Sequence, residues 1–173
     1  MKTLITGIAG TGKSTIVKAL NERGILSIDL HDISGLFFWQ NKETKEKVDY
    51  SPVHSREWFD GVDRLCDINR LTEMLGQYKD VVMAGTTSGS NQREFLSLFD
   101  KVILLRSNPE TLIHRMKTRV NKSGYGKTVA EQEDNIEWQK EFDPQMLSFG
   151  AIPVSTEGSI GDVVQKVIEV IKT

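Results

Sequence analysis

Five short runs of apolar and β-branched residues punctuate the chain, at positions 3–6, 25–28, 81–84, 102–105 and 151–154. Each is followed by apolar positions at helical spacing, and this alternation predicts parallel strands covered by helices. After the first run, Ile16, Val17 and Leu20 share one helical face that ends near Gly24. Asn108 followed by Pro109 reads as a cap and first-turn proline, opening a helix with Leu112, Ile113 and Met116 inward. Thr128 with Glu131 forms a capping-box pattern. The last helix is the most regular, with Ile160, Val163, Val164, Val167, Ile168 and Ile171 repeating at i, i+3, i+4 after Ser159. The expected fold class is α/β: a three-layer α/β/α sandwich around a parallel, five-stranded sheet, in one domain spanning residues 1–173.

About fifty residues separate the second and third predicted strands, far more than the usual two-to-six-residue connection. Residues 31–79 are therefore expected to form an insertion that binds substrate. Phe37, Phe38 and Trp39 precede a charged turn at 42–47, and Trp58, Val62, Leu65, Ile68, Leu71 and Leu75 predict one long amphipathic helix. The glycine-containing basic segment 120–128 has the composition of a lid over the site.

Composition narrows the function classes. With 38% hydrophobic and 27% charged residues and no long apolar run, the chain reads as soluble and cytoplasmic, without a membrane span or signal sequence. The single cysteine, Cys66, cannot pair within the chain and reads as a packed thiol. A net charge of −2 gives no nucleic-acid surface, yet the charge is uneven. Between Lys101 and Lys127 seven Lys and Arg residues face one acid, Glu110, so an anionic partner is expected there.

The sharpest motif is Gly7-Ile8-Ala9-Gly10-Thr11-Gly12-Lys13-Ser14, which fits G-x-x-x-x-G-K-[S/T] between a predicted strand and a predicted helix. In such a loop the glycines let backbone amides turn toward phosphate, and the helix that follows adds the positive end of its dipole. Gly7, Ala9, Gly10, Thr11, Gly12, Lys13, Ser14 and Thr15 are thus the expected binding residues for the phosphates of ATP, with Lys13 reaching the β- and γ-phosphates and Ser14 ligating Mg²⁺. A guanine-selecting Asn-Lys-x-Asp is missing: Asn121-Lys122-Ser123-Gly124 lacks the acid, which disfavours a regulatory GTPase.

Over its whole length the chain resembles the adenylate kinase and shikimate kinase group of small-molecule kinases. The resemblance is carried by the loop at 7–14, by Asp29 in Ser27-Ile28-Asp29-Leu30-His31-Asp32, by Gly85 after the third strand, and by Arg115-x-x-x-Arg119. It implies that Arg115 stacks on adenine, that Arg119 contacts the transferring phosphates, and that Asp29 joins the Mg²⁺ shell or accepts the substrate hydroxyl proton. Spacing of four places both arginines on one side of a helix. Where shikimate kinases carry a second acid this chain has His31, which fits substrate binding, base assistance or a structural bond. Asp32 fits either a helix cap or a catalytic role. Gly85 would allow substrate close to the backbone, while Thr86 and Thr87 offer hydroxyls for substrate or turn bonds. The lid carries no arginine, so Lys122, Lys127 or an arginine of the insertion (Arg56, Arg64, Arg70) would supply its charge. Trp39 and Trp58 fit base stacking or core packing equally.

These features point to ATP-dependent phosphoryl transfer to a small-molecule acceptor: a nucleotide, a nucleoside or a small hydroxylated metabolite. Lys13, Asp29 and Arg119 are the expected catalytic residues, and Ser14 and Asp29 the metal ligands. The competing readings are a nucleotide-dependent switch without an acceptor pocket, and a simple ATPase.

Overall fold

The computed structural model describes residues 1–49, 56–86, 89–119 and 125–173. Along the chain run β1 (Lys2–Thr6), α1 (Lys13–Glu22), β2 (Ser27–Asp29), a 3-10 turn (Leu30–Asp32), β3 (Phe37–Asn41), β4 (Lys47–Val48), α2 (Arg56–Gly61), β5 (Val62–Cys66) and α3 (Ile68–Gly76). They continue with β6 (Val81–Ala84), α4 (Gln92–Ser97), β7 (Lys101–Arg106), α5 (Pro109–Thr118), α6 (Val129–Ser148), β8 (Ile152–Ser155) and α7 (Ile160–Lys172). Five parallel strands form the main sheet in the order β2-β6-β1-β7-β8.

Helices cover both sheet faces because the strands are apolar on both. On one face α1 and α7 bury Ile16, Val17, Leu20, Val163, Val164 and Val167 against Ile5, Ile103 and Leu105. The opposite face is shared by two clusters. One joins Leu71 and Leu75 of α3 and Phe95 of α4 to Leu4 and Met83, and the other joins Leu112, Met116, Phe142 and Met146 of α5 and α6 to Ile8 and Leu104. The caps expected from sequence form: Asn108 accepts the Thr111 amide, Ser159 the Asp162 amide, and Thr128 with Glu131 closes a full capping box.

Two strands sit slightly later than periodicity places them. Residue 25 belongs to the turn that ends α1, its amide bonding Leu20 O, and Leu26 is exposed, so β2 begins at Ser27. Residue 151 likewise closes the turn after α6, and β8 begins at Ile152.

The connection between β2 and β6 departs more from expectation. No long helix runs from Trp58 to Leu75: α2, β5 and α3 take its place. Val62–Cys66 pairs antiparallel with Phe37–Asn41, and β4 completes a three-stranded sheet in the order β4-β3-β5. Asp67 then accepts the Arg70 amide and starts α3 afresh. Val62, Arg64 and Cys66 alternate on one strand face, and the spacing of Val62, Leu65 and Ile68 mimics a helix by coincidence. Asp32 ends the 3-10 turn and opens no helix.

Candidate active site

β1 delivers the phosphate loop at the centre of the sheet, the crevice where open α/β sheets take ligands. Gly7 adopts φ +147°, and a Cβ there would lie 2.6 Å from Leu105 O. The Thr11 hydroxyl braces the loop from inside by donating to Ile8 O at 2.8 Å. Gly12, at φ 94°, stands at the cap position of α1 and makes no side-chain cap bond, so the first-turn amides of α1 remain open to an anion. The Lys13 ammonium folds back onto the loop, donating to Gly7 O at 2.6 Å and Ile8 O at 3.0 Å. Desolvation holds its pKa down at about 8, with help from the nearby charges of Arg119 and Arg64 and against the attraction of Asp29. A cation kept in this state is matched by a polyanion.

Asp29 ends β2 beside the loop. Its Oδ2 accepts the Ser14 hydroxyl at 2.5 Å; its Oδ1 accepts the His31 amide at 3.0 Å and lies 3.2 Å from the His31 ring. Partial burial raises the carboxyl's proton affinity, but the hydrogen bonds from the His31 ring, Ser14 and the His31 amide outweigh it and hold the pKa at about 2. A hydroxyl and an ionised carboxylate in contact are the hard oxygen donors that Mg²⁺ takes alongside phosphate and water. His31 also stacks on Phe37, ring centres 5.5 Å apart.

Through Arg64, one face of the small sheet reaches toward the loop. By register Phe37, Trp39, Arg64 and Cys66 share that face, since Phe37 pairs with Cys66 and Trp39 with Arg64. Arg64 is therefore not a helix-surface residue. Its guanidinium lies 4.8 Å from the Phe37 ring centre and donates to Thr86 O at 3.0 Å. Thr86 is buried, and its hydroxyl donates to Gly7 O at 2.7 Å, so it links the loop to the insertion. Arg70 instead donates to Ser34 O at the surface, and Trp39 packs on Trp58 with centres 5.2 Å apart. At Gly85 the space a side chain would need is filled by Leu30, 3.1 Å from a Cβ. Thr87, Lys122 and the Arg56 side chain lie outside the described residues.

The two arginines of Arg115-x-x-x-Arg119 do not act as a same-side helical pair. α5 ends at Thr118, and Arg119 follows as its cap with extended backbone, φ −64° and ψ 143°. Arg115 reaches the loop after β8, donating to Thr156 Oγ1 at 2.9 Å and Thr156 O at 2.7 Å, with Gly10 O at 3.5 Å. Arg119 donates to Tyr125 O at 2.9 Å, while its buried Nε has no partner among the described residues. Lys127 does not offer a lid charge, for its ammonium is spent on the carbonyls that end α5.

Two contributors have little signal in the sequence, and a third is relocated by the structure. Asn135 of α6 is buried and donates to Ala9 O at 3.0 Å, bracing the phosphate loop from behind. Glu157 accepts the Ser107 hydroxyl at 2.5 Å and the Asn108 amide at 2.9 Å, fastening the loop after β8 to the start of α5. Arg64, considered with Arg56 and Arg70 as a source of charge, is placed on β5 where a helix was expected. A buried Asn on an otherwise charged helix is the one hint periodicity offers, since its position falls on the apolar stripe with Gln132, Phe142 and Met146.

A phosphate loop at the centre of a five-stranded parallel sheet, with helices on both faces and a small insertion after the second strand, defines the P-loop small-molecule kinase fold. The chain belongs to the AAA domain family, whose profile matches residues 4–137. Among curated relatives it is similar to a UPF0200 protein of Pyrococcus abyssi, 28% identical over 159 residues, covering 85% of this chain and 78% of the relative. Among solved structures it resembles the shikimate kinase from Acinetobacter baumannii in complex with shikimate, with a TM-score of 0.62 at 22% identity over 99% of this chain and 92% of that one. Deoxyadenosine kinase from M. mycoides with bound dATP superposes with a TM-score of 0.55 at 13% identity, each chain covered to 100%. No described helix is long and apolar enough to cross a membrane.

Proposed function

We propose that this protein transfers the γ-phosphoryl group of ATP to a small-molecule acceptor seated between the phosphate loop and the Phe37, Trp39 and Arg64 face of the small sheet. The observation that carries this reading is the grouping of three cations, Lys13, Arg64 and Arg119, close enough for the latter two to depress the first. Such a cluster is costly unless a polyanion occupies it. Lys13, swinging from the Gly7 and Ile8 carbonyls, would meet the β- and γ-phosphates, and the open amides of α1 would hold the phosphate chain. Arg119 would stabilise the charge that develops on the transferring group. Arg115, its edge already fixed on Thr156, would present its planar face to adenine.

A bound Mg²⁺ would supply positive charge to offset that of the phosphates. Ser14 and Asp29 are the side chains that would hold it. A carboxylate with a pKa of about 2 is a weak proton acceptor at neutral pH, so Asp29 fits the metal shell better than the part of general base. Acceptor diversity within this fold is wide: one superposed structure holds shikimate and another belongs to a deoxyadenosine kinase.

The test is acceptor-dependent ADP release across nucleosides, nucleoside monophosphates, sugars and sugar acids. One class is expected to stimulate turnover, and Asp29→Asn to reduce that turnover by about 10²-fold through kcat. ATP hydrolysis at a useful rate that no acceptor stimulates would overturn the kinase reading in favour of a simple ATPase.

A further inference from the structure

Lys127 makes an unusual set of contacts for an exposed lysine. Its ammonium donates to Met116 O at 3.1 Å, to Lys117 O at 3.0 Å and to Arg119 O, using all three N–H bonds on the end of α5. Carbonyls at a helix end generally lack intrahelical partners, and a cation at the negative end of the helix dipole is favourable there. The residue capped in this way is Arg119, where the chain leaves the helix and the guanidinium is aimed.

The turn that carries Lys127 is itself immobilised. Glu131 Oε2 accepts the amides of Gly126, Lys127 and Thr128, each at 3.1 Å, and the Thr128 hydroxyl at 3.0 Å. Gln132 donates to Gly126 O at 2.9 Å. Gly126, at φ +86°, presses on α5 so closely that a Cβ would lie 2.9 Å from Met116 Sδ. Tyr125 O, on the same turn, receives the Arg119 guanidinium. One turn along α6 from Gln132, Asn135 holds Ala9 of the phosphate loop. Arg119 is thus gripped at its carbonyl by Lys127 and at its side chain by Tyr125, on a turn tied through α6 to the phosphate loop.

We propose that Lys127 is a positioning residue for phosphoryl transfer: by closing the end of α5 it fixes the direction in which Arg119 presents its guanidinium to the γ-phosphate. The inference deepens the kinase reading and rests on it for the role of Arg119. The buried Nε of Arg119, with no partner among the described residues, is the group this arrangement holds ready.

The experiment compares binding of Mg²⁺ with AMP-PNP and with ADP, by calorimetry, so that no acceptor need be known. The preference for the triphosphate analogue reports contact with the γ-phosphate. Arg119→Ala is expected to lower this preference by about fivefold or more. K127M is expected to lower it by a similar factor while leaving ADP affinity within about twofold, and Lys127→Arg to restore it. In the double variant the loss should not exceed that of Arg119→Ala alone, because two residues acting through one contact are not additive. If K127M does not fold, Lys127→Gln, which keeps a donor for one carbonyl, carries the same comparison. A wild-type preference in the lysine variant beside a lowered one in Arg119→Ala overturns the role of Lys127 alone, as does an additive double loss. A wild-type preference in Arg119→Ala removes Arg119 from the γ-phosphate, and this inference with it.

Discussion

Lys13 shows how one residue can be paid for by its ligand. Its ammonium is half-buried against two carbonyls with two arginine charges nearby, and its pKa falls to about 8 from an ordinary 10.5. Between those values the unfolded chain binds the proton more tightly than the folded one, so this group's contribution to stability rises with pH from about 8 toward 10.5. Polyphosphate reverses the balance, because the anion favours the charged form. Binding of MgATP should therefore take up a proton above pH 8, and its affinity should fall by up to about tenfold per pH unit there. Calorimetry in buffers of different ionisation enthalpy measures this uptake, which Lys13→Ala should abolish along with at least about 10²-fold of any turnover. A variant that keeps both would show that the lysine does not meet phosphate.

At the scale of the element, the joint between β1 and α1 is where conformation limits sequence most. Gly7 turns toward the neighbouring strand, leaving a would-be Cβ 2.6 Å from Leu105 O and 2.8 Å from Thr11 Oγ1. Leu105 belongs to β7, an interior strand paired on both sides, and cannot give way. Gly7→Ala is thus expected to cost about 1–3 kcal/mol in denaturant unfolding and to deform the loop enough to lose nucleotide binding. Gly24→Ala is the control, since Gly24 is also left-handed at φ +76° but meets nothing within 4 Å. Equal nucleotide affinity in Gly7→Ala and wild type would mean that the loop rearranges on binding. The same joint explains Thr86, whose hydroxyl on Gly7 O makes the loop's first residue answer to the strand beside it.

Over the whole molecule, the small sheet is held to the start of α4 and to the core cluster that also takes in Leu4 and Met83 of the main sheet. Asn91 accepts the Cys66 amide at 3.3 Å and donates to Cys66 O at 2.7 Å, and the Cys66 side chain is buried in the cluster that contains Leu36, Leu71 and Phe95. Burial first, and the neighbouring Asp67 charge second, push its thiol pKa up to about 12. The thiol should therefore be inert in the native protein, with disulfide-reagent labelling at pH 7.5 slower than in denaturant by about 10³-fold or more. Its rate becomes a clock for separation of the two sheets. Rapid labelling of the native chain would show that the small sheet opens freely.

The phosphate loop, the five strands and the caps of α5, α6 and α7 were legible in the sequence because each depends on local chemistry. Glycine spacing, β-branched runs and Ser, Thr or Asn before a helix act within a few residues of one another. Asp29 was legible for a related reason, since a strand end is a topological place that the run of apolar residues marks. Tertiary structure decided what depends on partners distant in sequence. Val62–Cys66 is a strand only because Phe37–Asn41 lies beside it, and that pairing makes Arg64 a neighbour of Lys13. Arg115 and Arg119 part company because one finds Thr156 and the other leaves the helix toward Tyr125. Asn135 faces the phosphate loop across more than a hundred residues of chain, a contact to which helical periodicity is blind: the spacing of a helix says which residues turn inward, not what they meet.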